Sequence, residues 1–184
     1  MNKIQIVAAG VFALCAASPA FSQTTTNVPI GVSLVLGGTC VANTPGLVSI
    51  GFGEILNPAG QATNLDADTG GGPGPGLSLT CNQNSVTATV KINGGSNAFG
   101  GVRRLQNPGA AGTSGQYVFY HLYDSPGRAP ASEYLIATPR SFNGGVVTAG
   151  TDLNFAVYAR IIANDVRLAV GGSYDDSVQL TLTL

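Results

Sequence analysis

From residue 28 onward, apolar side chains recur at every second position wherever the chain is not rich in Gly and Pro. Val28, Ile30, Val32, Leu34 and Leu36 alternate with Pro29, Gly31, Ser33 and Val35. Leu77-Ser-Leu-Thr-Cys81 leads through Asn82-Gln-Asn84 into Val86, Ala88, Val90 and Ile92, a pattern that predicts a hairpin-like pair of strands. Residues 117–123 form a β-branched and aromatic run. Leu153, Phe155, Val157, Ala159 and Ile161 alternate along one further stretch, and Val178, Leu180, Leu182 and Leu184 along the last. A period of two places successive side chains on opposite faces of a strand, whereas a helix repeats at 3.6, and no long segment here carries that second period.

Between these runs lie turn-forming clusters: Thr69-Gly-Gly-Gly-Pro-Gly-Pro-Gly76, Asn93-Gly-Gly95, Asn107-Pro-Gly109, Ser125-Pro-Gly127, Asn143-Gly-Gly145 and Gly171-Gly172. Short strands separated by such turns predict an all-β chain built as a sandwich or barrel. Composition agrees. Only 9% of residues are charged, far below the usual quarter, so the Glu, Lys and Arg that cover exposed helix faces are scarce.

The first residues have a different character. Lys3 precedes an apolar run from Ile6 to Ala17, and Ala20-Phe21-Ser22 supplies small residues before Gln23. This is the three-part pattern of a cleaved secretory leader covering residues 1–22. The apolar run is shorter than the roughly 20 residues a membrane-spanning helix needs. Cys15 follows Leu14, where a lipoprotein signal needs a small residue, so it belongs to the leader. Loss of Lys3 takes the formal net charge from −1 to −2 and leaves no basic patch with interleaved aromatics, which argues against nucleic acid as a partner. Two cysteines remain, Cys40 and Cys81. In an exported chain that count predicts one disulfide, and closing a loop of about 40 residues stabilises by roughly 4 kcal/mol.

Catalysis finds little support. The single histidine, His121, lies within the 117–123 strand, and there is no Gly-x-Ser-x-Gly element, so no nucleophile and base are set out for hydrolysis. Glu54, Glu133, Asp66, Asp68, Asp124 and Asp152 are scattered without a spacing that singles out a pair. Asp66 and Asp68 resemble half a calcium loop whose other ligands are missing. The glycines at 72, 74 and 76 lack the Gly-Lys-Ser/Thr ending of a phosphate loop. The expectation is no enzyme, no catalytic residues, no metal and no cofactor.

The two ends are more informative. The last strand carries an apolar residue at every second place and no Lys, Pro or bulge signal to protect an edge. It must be paired, either inside a complete sandwich or by another molecule. Cleavage before Gln23 frees a polar stretch followed directly by Val28, Ile30, Val32 and Leu34, a strand ready to join another sheet. A contact between one copy's head and the next one's tail need not close, and so generates filaments. Pro29 removes one ladder hydrogen bond from that strand but lies between the apolar positions.

In this order the residues resemble the spore coat protein U family, which includes subunits of archaic, Csu-type chaperone–usher pili. The carriers are the N-terminal alternation ending in Gly38-Thr-Cys40, then Ile50-Gly-Phe-Gly53, Leu77-Ser-Leu-Thr-Cys81, the strand closing on Asn93-Gly-Gly95, Tyr117-x-x-Tyr-x-Leu-Tyr123, and Gly172-Ser-Tyr-Asp-Asp-Ser-Val178 running into Leu184. The resemblance covers the whole chain after the leader. It implies an immunoglobulin-like β-sandwich that lacks its final strand, with Cys40–Cys81 as the family disulfide. Residues 23–36 would form the donor segment and 37–184 the incomplete domain. Val28, Ile30, Val32 and Leu34 would fill a neighbour's groove, and Val178, Leu180, Leu182 and Leu184 would flank the acceptor groove. Partners would be identical or related pilin subunits, a periplasmic chaperone and an outer-membrane usher. The chain would pass through the periplasm to a surface pilus, contributing to adhesion or biofilm formation. The alternatives are a secreted coat or matrix protein of the same family that needs no usher, and a self-contained secreted sugar-binding or hydrolytic sandwich. The absence of Trp weakens a sugar-stacking site.

Overall fold

The computed structural model describes residues 29–36, 40–43, 47–53, 58–70, 76–85, 87–141 and 146–184, and within them every side chain except those of 33–36, 47 and 155. The predicted leader and Val28 lie outside these residues.

Among the described residues twelve strands carry the fold: β1 (Pro29–Leu36), β2 (Cys40–Ala42), β3 (Leu47–Gly51), β4 (Leu65–Asp68), β5 (Leu77–Cys81), β6 (Thr89–Ile92), β7 (Arg103–Gln106), β8 (Tyr117–Tyr123), β9 (Arg140–Ser141), β10 (Asp152–Phe155), β11 (Tyr158–Ile161) and β12 (Asp176–Thr183). One five-residue helix, α1 (Ala163–Arg167), is the only α-helix among the described residues. No helix there is long and apolar enough to cross a membrane.

The strands form three sheets in the orders β3-β1-β12-β6-β9, β10-β5-β2 and β4-β11-β8-β7. Inward residues from all three join one core, in which Ile30, Val90, Ile92, Leu180 and Leu182 of the first sheet meet Leu77, Leu79 and Leu153 of the second and Leu105, Tyr120, Leu122 and Ile161 of the third. This is an all-β chain of sandwich type with one disulfide, Cys40–Cys81. Alternation explains the layering: in β12 the even-numbered residues from Asp176 to Leu182 are buried, while Ser177, Gln179 and Thr183 are exposed.

Two sequence expectations change. The predicted hairpin of 77–81 with 86–92 does not form. β5 runs antiparallel to β10 and β2, whereas β6 runs antiparallel to β12 and β9. The intervening residues make their own contact, with Ser85 bridged to Val147, so the chain crosses between sheets there. The alternating stretch 153–161 is likewise two strands. Leu153, Val157, Ala159 and Ile161 all stay buried, but the chain leaves β5 and joins β4 and β8 near Val157. Thr69 fixes that crossing, since its Oγ1 accepts from the Val157 amide at 3.0 Å and its own amide donates to the Val157 carbonyl at 3.0 Å.

Candidate functional site: the groove between β3 and β12

The last strand is not an edge. β12 lies between β6, antiparallel to it, and β1, parallel to it, and β1 lies in turn against β3. The N-terminal alternating segment therefore fills a slot in its own chain, walled by β3 and β12.

Register and burial match along this slot. Ile30 stands opposite Asp176 on one side and Ile50 on the other, and Val32 stands opposite Val178 and Val48. The backbones of Leu34 and Leu36 pair with those of Leu180 and Leu182. Ile30, Val32, Ile50 and Leu180 have no exposed surface, and Val178 and Leu182 are almost as fully enclosed. Leu184, just beyond β12, packs against the same core. Full burial of a Val or Ile side chain stabilises by roughly 1.5–3 kcal/mol, so Ile30 and Val32 together hold β1 in place by about 3–6 kcal/mol. Pro29 sits opposite Gly51 at the strand's first position, where its missing amide costs least.

The two ends of the slot are fixed by different chemistry. At one end Asp176 is buried. Its carboxylate accepts from the Tyr120 hydroxyl at 2.7 Å, the Ser96 amide at 2.8 Å, the Asn97 amide at 3.2 Å and the Asn97 side-chain amide at 3.3 Å. Gly95 adopts φ +83°, and a Cβ there would collide with that carboxylate, so the Asn-Gly-Gly turn is shaped around it. Burial, and then the adjacent carboxylate, raise the Tyr120 hydroxyl well above the ordinary phenol range, which keeps it a donor. Arg103 is also buried, and it donates to the carbonyls of Asn93 at 2.9 Å, Tyr134 at 2.6 Å and Ile92 at 3.0 Å. At the other end the chain passes from Leu36 to Cys40, which faces Cys81 across the β2–β5 pairing and is bonded to it.

Neither Asp176 nor the β3 wall is among the site residues expected from the sequence. The alternation of Val48, Ile50 and Phe52 is a signal for the wall. An acidic residue entering an otherwise apolar strand, with Asn-Gly-Gly elsewhere, is the signal for the carboxylate.

Several of the scattered ionisable groups are held in pairs. His121 Nδ1 lies 2.7 Å from Glu133 Oε1, both partly exposed. Arg160 makes two contacts with Asp66 at 2.8 and 2.9 Å, and Arg140 pairs with Asp124 at 2.8 Å. Hydrogen bonds from Arg160 hold the Asp66 carboxyl below the usual carboxylate range. Asp152 accepts from Thr80 and Asn43 on the sheet surface, and Asp68 accepts from the Gly70 amide at 2.8 Å. Glu54 lies outside the described residues, among which no three His, Cys, Asp or Glu come together as a metal site.

A strand slot at the chain's head, rather than a cleft of reactive groups, is thus the feature with the most built-in geometry. The Spore Coat Protein U domain model matches residues 24–181, which takes in β1, β3, most of β12 and both cysteines. The chain belongs to the spore coat protein U family. This is a structural, pilin-like family of pilus and spore-coat type, found at the surface or outside the cell, and its members associate as subunits rather than act as enzymes. No curated protein matches the chain.

Proposed function

We propose that this protein is a structural subunit of a surface fibre assembled by strand donation, in which the N-terminal strand of one copy occupies the β3–β12 slot of the next. The observation that carries this reading is the fit of β1 in that slot. Its inward side chains Ile30 and Val32 are completely enclosed between β12 and β3, as a donated strand's would be. An incomplete sandwich closed by a neighbour's strand is what the family resemblance implies, with Val28, Ile30, Val32 and Leu34 donated and Val178, Leu180, Leu182 and Leu184 lining the receiving side. Removing β1 would expose the apolar edge of β12, so a periplasmic chaperone to cover it and an outer-membrane usher to exchange it are the partners this assembly calls for. Adhesion or biofilm formation is the corresponding cellular role.

The test is Val32→Asp in the exported chain, with Val41→Asp as control, since Val41 is 68% exposed. A buried, unpaired carboxylate costs several kcal/mol. Heat-dissociable ladders on a denaturing gel should vanish for the first variant and persist for the second. Ladders that survive Val32→Asp would show that this strand is not the donor.

A further inference from the structure

Arg104, on β7, differs from every other arginine of the chain. The other five each give at least one terminal nitrogen to a carbonyl or side-chain oxygen. Arg104 instead donates through Nε to the Asn97 carbonyl at 2.9 Å, and its two terminal nitrogens meet no acceptor among the described residues. Its guanidinium lies between two rings, 3.9 Å from the centre of Tyr117 and 4.9 Å from that of Phe99. Stacking and the Nε bond fix its plane and leave the outer edge of the fork open. The surroundings of the cation are rigid. Gly100 and Gly101, at φ +59° and +83°, make a two-residue turn between Phe99 and Val102, whose backbones exchange hydrogen bonds at 3.0 and 3.1 Å. Asn97 is pinned in turn by the Asp176 carboxylate and the Asp175 carbonyl. A cation held in this way loses little freedom on binding, and its open fork fits an anion that takes two parallel bonds.

What lies beside the fork narrows the ligand. Phe99 is 69% exposed, and Phe119, opposite Arg104 on β8, is exposed as well. Phe119 also lines a cleft of about 270 Å³ that continues to His121, Glu133 and Asp165. Carboxylates only accept, so this end of the cleft suits hydroxyl donors and repels a second negative charge. Polyphosphates and sulfated chains, charged throughout, are therefore poor fits. A peptide finds little open ladder, because the outer edge of β7 is already bridged at Gln106 to Asp175, and Val102 just before it to Phe99. One carboxylate, an apolar ring face and several hydroxyls are together the features of a sugar acid. In a chain without Trp, Phe119 supplies the stacking face.

We propose that Arg104, framed by Phe99, Tyr117 and Phe119, is a binding site for a sugar carrying a single carboxylate. The carboxylate sits on the Arg104 fork, the C–H face of the ring on Phe119, and the hydroxyls point towards Glu133. The site lies on the sheet β4-β11-β8-β7, which includes none of β1, β3 and β12, so it stands or falls separately from strand donation.

The test titrates methyl galacturonoside and its methyl ester into the exported chain, following the Arg104 side-chain signals by NMR. The acid should bind with a dissociation constant of about 1 mM, ordinary for its size, and the ester at least about tenfold more weakly. Arg104→Lys keeps the charge but loses the fork, and should weaken binding of the acid by about tenfold or more. Lys91→Gln, an exposed position on β6, should leave binding unchanged. Benzoate has a carboxylate and an apolar ring but no hydroxyls, and should bind about tenfold more weakly than the sugar acid. Should Arg104→Lys lower the unfolding midpoint, the Arg104 signals of the unsubstituted chain decide. The proposal is overturned if those signals stay still at about 20 mM acid, far above the expected constant, or if acid and ester bind alike. It is equally overturned if a folded Arg104→Lys variant binds as tightly as the unsubstituted chain, or if benzoate or tetraglutamate binds as well as the sugar acid.

Discussion

Replacing Asp176 with Ala should be among the most damaging single changes on this chain, although the residue carries out no chemistry. The carboxylate receives four donors, but they do not all lose everything when it goes. Ser96 keeps the Ser177 carbonyl at 3.1 Å, and the Asn97 side chain keeps the Asp175 carbonyl at 3.2 Å. The Tyr120 hydroxyl and the Asn97 amide lose their carboxylate acceptor. A buried donor left unsatisfied costs about 1–3 kcal/mol, so the variant should lose about 2–5 kcal/mol. Tyr120→Phe removes one donor and leaves the carboxylate three, at a cost of about 1–1.5 kcal/mol. In the double variant the hydroxyl that Asp176→Ala orphans no longer exists, so its cost should fall short of the sum by about 1–2 kcal/mol. Urea unfolding of all four proteins with the disulfide intact measures the cycle, provided the m-values agree. A loss below about 1 kcal/mol for Asp176→Ala, or strict additivity in the double variant, would refute the account of Asp176 as the anchor of the slot's end.

Two further outcomes are expected. Reducing Cys40–Cys81, or replacing both with Ser, should lower stability by about 4 kcal/mol, measured by the same unfolding curves; a change below about 1 kcal/mol would mean the closed loop is not what the bond constrains. Asp66 has its carboxyl pKa lowered on folding by Arg160, so its contribution is present above the usual carboxylate range and is lost as pH falls through the lowered value. Its side chain is 37% exposed, which limits that contribution to about 0.5–1 kcal/mol, and Asp66→Asn should abolish this part of the acid dependence in unfolding curves taken at pH 7 and pH 3.

Much of this architecture is legible in the residues, and the failures have physical causes. Period-2 alternation locates β1 and β12, the second of them buried on one face, and a β-branched and aromatic run locates β8. The same signal misplaces partners, since it records which face is buried and not which strand lies alongside. Leu77–Cys81 and Thr89–Ile92 both alternate well and are close in sequence, yet the disulfide draws the first towards β2 while β12 takes up the second. From Leu153 to Ile161 the pattern does not break at all, because a strand that changes sheets can keep the same face towards a common core. Only the hydroxyl and amide of Thr69, far away in sequence, mark the crossing.

The site shows the same limit. Unprotected alternation in the first and last of these strands marks two segments that each need a neighbour to pair with. It is silent on whether the two belong to one molecule. Here the slot is filled from within, by β1 lying parallel to β12. Parallel and antiparallel pairings differ only slightly in stability per residue, so strand energy alone does not select the fibre over the closed monomer. That selection falls to what surrounds the strand. Within one chain the tether wins by proximity, and between chains the withdrawn strand must be kept from returning. A protein that covers the vacated edge of β12 does this by binding the open form and not the closed one, shifting the balance only by its difference in affinity for the two. Growth by strand donation should therefore depend on such a partner even at subunit concentrations high enough for frequent collision. Purified subunit that polymerised unaided at about 10 µM would contradict this step.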